Sequence, residues 1–296
     1  MISRPAKLRR ERYSLAIIQE DTAHVPFEDI AIIVLDHHEI TLTHPVLSAC
    51  AEFGIGLFST GDDHQPNGVF TPFLQHTRTT RMMRLQLGLG RPLVKRAWAR
   101  IVRQKISNQA ICLKLANCAD ADRLHSLVNQ VRSGDPDRRE GQAAMLYFNR
   151  LFGRDFHRGQ NTWTNGALNY GYAVVRGAIT RCLVKHGLHP SLGLFHASEQ
   201  NAFNLADDII EPFRPVVDLF VVGQRRDTTT TELCSTDKVA LVKLLNVDVD
   251  TPRGAMSVMS AINLMVESAV RMMERADEQC MEMPKLIELR QHEPYD

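Results

Sequence analysis

The sequence predicts an α+β protein in which a small N-terminal β domain, residues 1–70, precedes a larger all-helical C-terminal domain, residues 77–289. Three observations carry that reading. Short runs rich in Ile, Val, Leu and Thr, separated by turn residues, fill the first seventy positions. From Thr77 onward, apolar residues recur instead at three and four spacing. The chain has 296 residues, 44% hydrophobic and 23% charged, which suffices for two cores and excludes the disordered and fibrous classes.

Taken in order, Tyr13–Ile18, Ala31–Leu35, Glu39–Thr43 and Gly56–Ser59 are the strand candidates. Gly61-Asp62-Asp63 and Pro66-Asn67-Gly68 read as turns, with a domain boundary near 68–76 and a linker over 71–76. Beyond it the helical stripes are Leu85 and Leu89, then Leu93, Ala97 and Ile101, then Ala143, Ala144, Tyr147, Phe148 and Leu151. Pro92 suits the first turn of a helix, and Gly134-Asp135-Pro136-Asp137 forms a loop before the helix that holds Glu140. Polar residues and a proline predict that 290–296 is a frayed tail.

The longest aliphatic run, Ile30–Leu35, falls far short of the about 20 residues that cross a bilayer, so no membrane association is expected. Six cysteines without a Cys-x-x-Cys pair suggest neither a disulfide framework nor a zinc ribbon, and imply a reducing cytoplasm. Net charge is only +1, but sign is segregated: no acid lies between Asp63 and Asp120, while that stretch holds ten Lys and Arg residues. Arg96, Arg100 and Arg103 share one helix face there. With no acid nearby in sequence to pair with them, they are candidate phosphate contacts, as are Arg78, Arg81 and Arg84; a solvated face is the bland alternative.

Two further segments carry candidate chemistry. In Ala206-Asp207-Asp208-Ile209-Ile210-Glu211, either aspartate can share a helical face with Glu211, an arrangement that repels unless a cation intervenes, and Pro212 ends or kinks the helix there. His196 lies between apolar residues upstream, and Glu140 alone reads as ordinary helix-dipole chemistry. Asp36-His37-His38 matches the tripeptide of the DHH phosphoesterases, whose acid and histidines hold divalent metals; a strand-edge turn produces the same letters.

Four stretches between residues 140 and 215 together resemble a known family. They are Glu140-Gly141-Gln142-Ala143-Ala144 with Tyr147-Phe148 and Leu151-Phe152-Gly153; Asn169-Tyr170-Gly171-Tyr172; Gly193-Leu194-Phe195-His196; and Asn201 through Pro215. In order and spacing they resemble the CRISPR-associated endonuclease and integrase, the first-numbered CRISPR-associated protein, in the style of type II members. That resemblance implies a divalent metal, Mg²⁺ or Mn²⁺, on Glu140, His196 and Glu211, with Asp208 and Asp207 as neighbouring acids that support or alternate with them. It implies insertion of new spacers by 3′-hydroxyl attack on phosphodiesters. It also implies DNA partners (prespacer and CRISPR repeat), a homodimer built through the β domain, the second-numbered CRISPR-associated protein and, in addition, the effector nuclease. Two hard carboxylates and one imidazole suit such an ion, and since the imidazole must be neutral, activity is expected to fade below about pH 6.5. The rival readings are a non-catalytic nucleic-acid scaffold of the same machinery and a DHH-type phosphoesterase. Tyr170 and Tyr172 are read as helix-packing residues, and Arg214 as a partner for a carboxylate or a phosphate.

Overall fold

The computed structural model describes residues 1–61, 66–72, 77–224 and 231–293. Asp62 and Asp63 of the first expected turn, and 73–76 of the expected linker, lie outside these. The N-terminal part runs β1 (Ala6–Glu11), β2 (Ser14–Ile18), β3 (Thr22–Pro26), β4 (Ile32–Leu35), β5 (Ile40–Leu42), α1 (His44–Phe53), β6 (Gly56–Thr60) and β7 (Pro66–Phe70). One sheet has the order β3-β2-β1-β5 and a second β4-β6-β7. Alternation sets the core: Ala6 and Leu8 of β1 point in while Lys7 and Arg9 point out. Leu8, Leu15, Phe27, Val46, Ile55 and Leu57 gather between the sheets and α1.

Two expectations are corrected here. The segment after Glu39–Thr43 was expected to stay within β structure, yet it forms α1. Pro45 sits in its first turn, and Gly54 closes it in the left-handed region at φ 68° with its N–H on the Cys50 carbonyl. Pro66-Asn67-Gly68, expected as a turn, begins β7, which pairs antiparallel with β6 across a register shift at Ser59/Thr60. Gly68 permits the approach, because a Cβ there would stand 2.5 Å from Ser59 Oγ.

The helical part comprises α2 (Thr79–Leu87), α3 (Arg91–Leu115), α4 (Ala121–Ser126), α5 (Arg139–Leu151), α6 (Trp163–Lys185), α7 (Asn204–Ile209), α8 (Arg214–Gly223), α9 (Ser235–Lys243) and α10 (Val258–Arg275). Between α9 and α10 a two-residue ladder, β8 (Asp248–Val249) with β9 (Met256–Ser257), adds a small β element. The long helices α3 and α6 organise the core, α3 packing on α4, α5 and α8, and α6 on α7, α8, α9 and α10. Tyr170 and Tyr172 are buried in it, as expected.

The two parts are fastened directly. Phe58 of β6 packs on Gly177 of α6, where any Cβ would lie 2.2 Å from its ring. Arg181 Nε donates to the Gly54 carbonyl at 2.5 Å. Lys238 of α9 donates to Asp36 at the end of β4 at 3.0 Å, both side chains at most 5% exposed.

The frayed tail is also corrected as far as His292. Its backbone N–H donates to Asn246 at 2.7 Å, its ring meets Asp248 at 2.6 Å, and Gln291 bridges Val247. Residues 294–296 lie outside the described residues. No described helix is long and apolar enough to cross a membrane.

Candidate metal and DNA site

Glu140 is set by the loop before α5. Asp135 and Arg138 adopt positive φ, and the Asp135 carboxylate accepts the N–H groups of Arg139 at 2.9 Å and Glu140 at 3.0 Å, capping the helix on which Glu140 occupies the first turn. Glu211 is set by the break that Pro212 enforces. Helix α7 ends at Ile209, a 3₁₀ turn spans Glu211–Phe213, and α8 begins at Arg214. Asn108 of α3 clamps that break by donating to the carbonyls of Pro212 at 2.7 Å and Pro284 at 3.0 Å.

Because the helix stops, the three acids of this motif diverge instead of sharing a face. Asp207 accepts from Asn201 at 2.7 Å and lies 3.7 Å from Arg176. Asp208, fully buried, accepts the backbone N–H groups of Leu194 (2.5 Å), Phe195 (3.0 Å) and His196 (3.2 Å), and its Oδ1 lies 2.8 Å from His196 Nδ1. That saturates its oxygens and fixes the imidazole with Nε2 left to face a ligand. Gly193 is required in this loop, since a Cβ would stand 2.2 Å from the His196 carbonyl.

Glu211 points elsewhere, accepting from Arg214 Nε at 2.9 Å and meeting Lys105 Nζ, which also meets Glu140. Lys105 is 7% exposed and was merely one of the ten cations of the acid-free stretch in sequence. Burial alone would raise the Glu211 carboxyl, but Arg214 and Lys105 outweigh it and hold its pKa at about 2. For Lys105 burial works against the charge, and Glu211 and Glu140 overcome it, so its pKa is raised. The hydrogen bond to Asp208 raises His196 above 6.5 against desolvation, with Glu211 and Asp207 adding to it. The acid limit for a neutral imidazole therefore lies above the pH 6.5 expected from sequence.

Among the described residues no three His, Cys, Asp or Glu side chains already converge as a metal set. The ammonium standing on both glutamates, and the turn of His196 onto Asp208, account for that. The donors nevertheless fit a divalent ion, because two carboxylates and an imidazole are the oxygen and nitrogen ligands such an ion takes, and Glu140 and Glu211 already share one cation, Lys105 Nζ.

A family profile described as "CRISPR associated protein Cas1" matches residues 1–238. The CRISPR-associated endonuclease Cas1 of Neisseria meningitidis serogroup C (strain 8013) is 41% identical over 296 residues, covering 99% of this chain and 97% of that one. The chain belongs to the Cas1 family. Among solved structures, a casposase bound to integration product superposes with a TM-score of 0.74 at 17% identity, covering 93% of this chain and 90% of that one. A Cas6-RT-Cas1–Cas2 complex superposes with a TM-score of 0.71 at 16% identity, covering 97% of this chain and 36% of that one. At those identities the superpositions speak for the fold, a β-strand region followed by a mostly helical region.

In this Cas1-family chain the premise for Arg96, Arg100 and Arg103 is corrected. Acid-free in sequence, their surroundings are supplied by distant segments: Arg96 pairs with Glu278 at 2.9 Å, Arg100 donates to Gln279 and to the Met281 carbonyl at 2.9 Å, and Arg103 donates to the Val131 carbonyl at 2.5 Å. Arg81 pairs with Glu274 at 2.9 Å, both side chains well exposed. Arg78 and Arg84 lie exposed at the start and near the end of α2. Helix α2 borders a cleft of about 460 Å³ that His196, Ser198 and Asn204 line from the opposite side. Gln86 braces it there by donating to the His189 carbonyl at 3.2 Å.

The DHH reading is corrected too. Asp36 is buried against Lys238 and accepts from Thr60 at 3.2 Å, whereas the His38 side chain is 82% exposed and its ring stacks on His37. Sequence reasoning missed Lys105 and Asn108. A lysine and an asparagine among alternating apolar residues of one long helix give no signal until the fold delivers their partners.

Proposed function

We propose that this chain is a metal-dependent DNA endonuclease and integrase of CRISPR adaptation, with Glu140, His196 and Glu211 holding Mg²⁺ or Mn²⁺. The observation that carries the reading is that Glu140 and Glu211, on separate elements, converge on one point, Lys105 Nζ, while the charge of Glu211 also acts on His196, which a buried aspartate fixes. Glu140, His196 and Glu211 would hold the ion, which when bound would supply polarisation of a phosphodiester oxygen and offset charge on the leaving 3′-oxygen. Asp208 keeps His196 in the tautomer that presents Nε2, and Arg214 fixes the second oxygen of Glu211. Arg78, Arg81 and Arg84, carried by the helix whose C-terminal end borders the cleft, hold backbone phosphates, which positions DNA without reading its sequence.

DNA, as prespacer and CRISPR repeat, is the proposed substrate. By analogy with the Cas6-RT-Cas1–Cas2 complex, a Cas2 subunit is the proposed partner of a homodimer formed through residues 1–70, with 77–289 as the catalytic part. The test is Mn²⁺-dependent nicking and strand transfer on branched DNA by purified protein. Activity lost in Glu140→Gln with DNA binding retained supports the reading; DNA binding without any metal-dependent chemistry would leave a non-catalytic scaffold.

A further inference from the structure

The glutamate pair is already neutralised in the chain as it stands. Lys105 Nζ contacts Glu140 and Glu211 together, and Arg214 holds the other Glu211 oxygen at 2.9 Å. Two carboxylates are thus matched by two cations. A divalent ion entering this cluster meets no net negative charge, and Lys105 stands on the oxygens it needs. Lys105 cannot pull far away by itself, because it projects from the middle of the buried face of α3 and is 7% exposed. To leave the carboxylates it needs another anion within reach, and the site as proposed receives one in the form of a DNA phosphate.

We propose that Lys105 is a built-in competitor for the divalent ion, seated on Glu140 and Glu211 until a DNA phosphodiester takes up its ammonium, so that DNA and metal bind cooperatively. The inference rests on the metal-site reading above and adds to it an order of assembly. Cooperativity of this kind is reciprocal: DNA tightens metal binding by the factor by which metal tightens DNA binding.

The test is a Mn²⁺ titration followed by the electron paramagnetic resonance of free Mn²⁺. It is run with and without a branched DNA ending in a dideoxynucleotide, which lacks the attacking hydroxyl. In wild type, DNA should tighten Mn²⁺ binding by about 5- to 150-fold, the usual range of such coupling. Lys105→Met should bind Mn²⁺ tightly without DNA and gain less than about twofold from it, having lost the element that couples the sites. Lys105→Arg, which keeps the charge, should bind weakly without DNA, as wild type does. Because Lys105→Met leaves Glu140 without its cation and Glu211 with Arg214 alone, its melting temperature should also rise more on adding Mn²⁺ than that of wild type.

Wild-type Mn²⁺ affinity indifferent to DNA would overturn the proposal, and that arm stands even if Lys105→Met does not fold. So would a folded Lys105→Met that binds Mn²⁺ no more tightly than wild type. If Glu211→Gln leaves Mn²⁺ binding intact in both backgrounds, the assignment of the metal site fails instead.

Discussion

Lys238 and Lys105 are both buried, but they meet acids in different proportions. Lys238 faces one carboxylate, Asp36, in a sealed pair that also takes the Thr60 hydroxyl and ties β4 to α9. Lys105 faces two, Glu140 and Glu211, of which Glu140 keeps a third of its side chain exposed. A sealed one-to-one pair has nothing left to bind, and its role is to fasten the two parts of the chain. A cation shared by two acids, one of them a third open to solvent, sits where another cation can compete with it for the same oxygens. Both look alike in sequence, as a lysine in an amphipathic helix.

The largest expected effect breaks the clamp. Asp36→Ala strands Lys238 in the interior and should cost about 3–5 kcal/mol in denaturant unfolding, whereas Asp36→Leu with Lys238→Met should be near neutral. Strand transfer per folded molecule should not change in either. A catalytic loss in Asp36→Ala at full stability would restore the phosphoesterase reading.

At the other lysine the pattern should invert. Glu140→Gln and His196→Gln should each lower Mn²⁺-dependent strand transfer by more than about 10²-fold, since even residues behind the ligands of a metal commonly matter by 10–100-fold. DNA affinity measured without divalent metal should stay within about twofold of wild type. Equal losses of binding and chemistry would mean that these residues build the DNA surface instead.

Asp208→Asn sharpens the account at one remove, with an expected 10- to 100-fold loss of Mn²⁺ affinity. Its pH dependence has a definite sign. The Asp208 bond raises His196, so the charged pair stabilises the metal-free fold fully below pH 6.5 and ceases to do so as pH rises through the raised value. Mn²⁺ requires the neutral ring, so its affinity should begin to fall on acidification while the pH is still above 6.5. In Asp208→Asn that fall should move to lower pH. A titration of Mn²⁺ affinity from pH 5.5 to 8.5, shown by both proteins to fall at one common pH, would contradict it.

The smallest effect concerns the arginines. Replacing Arg78, Arg81 and Arg84 with Gln should reduce the slope of log affinity against log salt by up to about 2.7 units on duplex DNA. The same change at Arg96, Arg100 and Arg103 should reduce it by about one unit at most, because Arg100 and Arg103 are spent on backbone carbonyls within the fold. Equal slopes for both triple variants would return the α3 face to the DNA path.

These contrasts show where sequence was informative. Strands β2, β4, β5 and β6 and the break at Pro212 were legible because local pattern and turn chemistry determine them. Helix α1 was hidden by the β character of its surroundings, although Pro45 and Gly54 mark its ends. Glu140, His196 and Glu211 could be joined only through resemblance, since no spacing rule links side chains carried by α5, a loop and a 3₁₀ turn. The pairing of Arg96 with Glu278 was out of reach for the same reason: the acid-free run is a property of the chain, and the acid beside it a property of the fold.

The central claim, that Glu140, His196 and Glu211 hold one divalent ion, is tested most directly by anomalous diffraction at the manganese edge from crystals of the DNA-bound protein grown with Mn²⁺. The account predicts one strong peak within about 2.0–2.4 Å of a Glu140 oxygen, a Glu211 oxygen and His196 Nε2, with Asp208 still on Nδ1. A peak seated on Asp207 or Asp208 instead, with Lys105 still bridging Glu140 and Glu211, would contradict it.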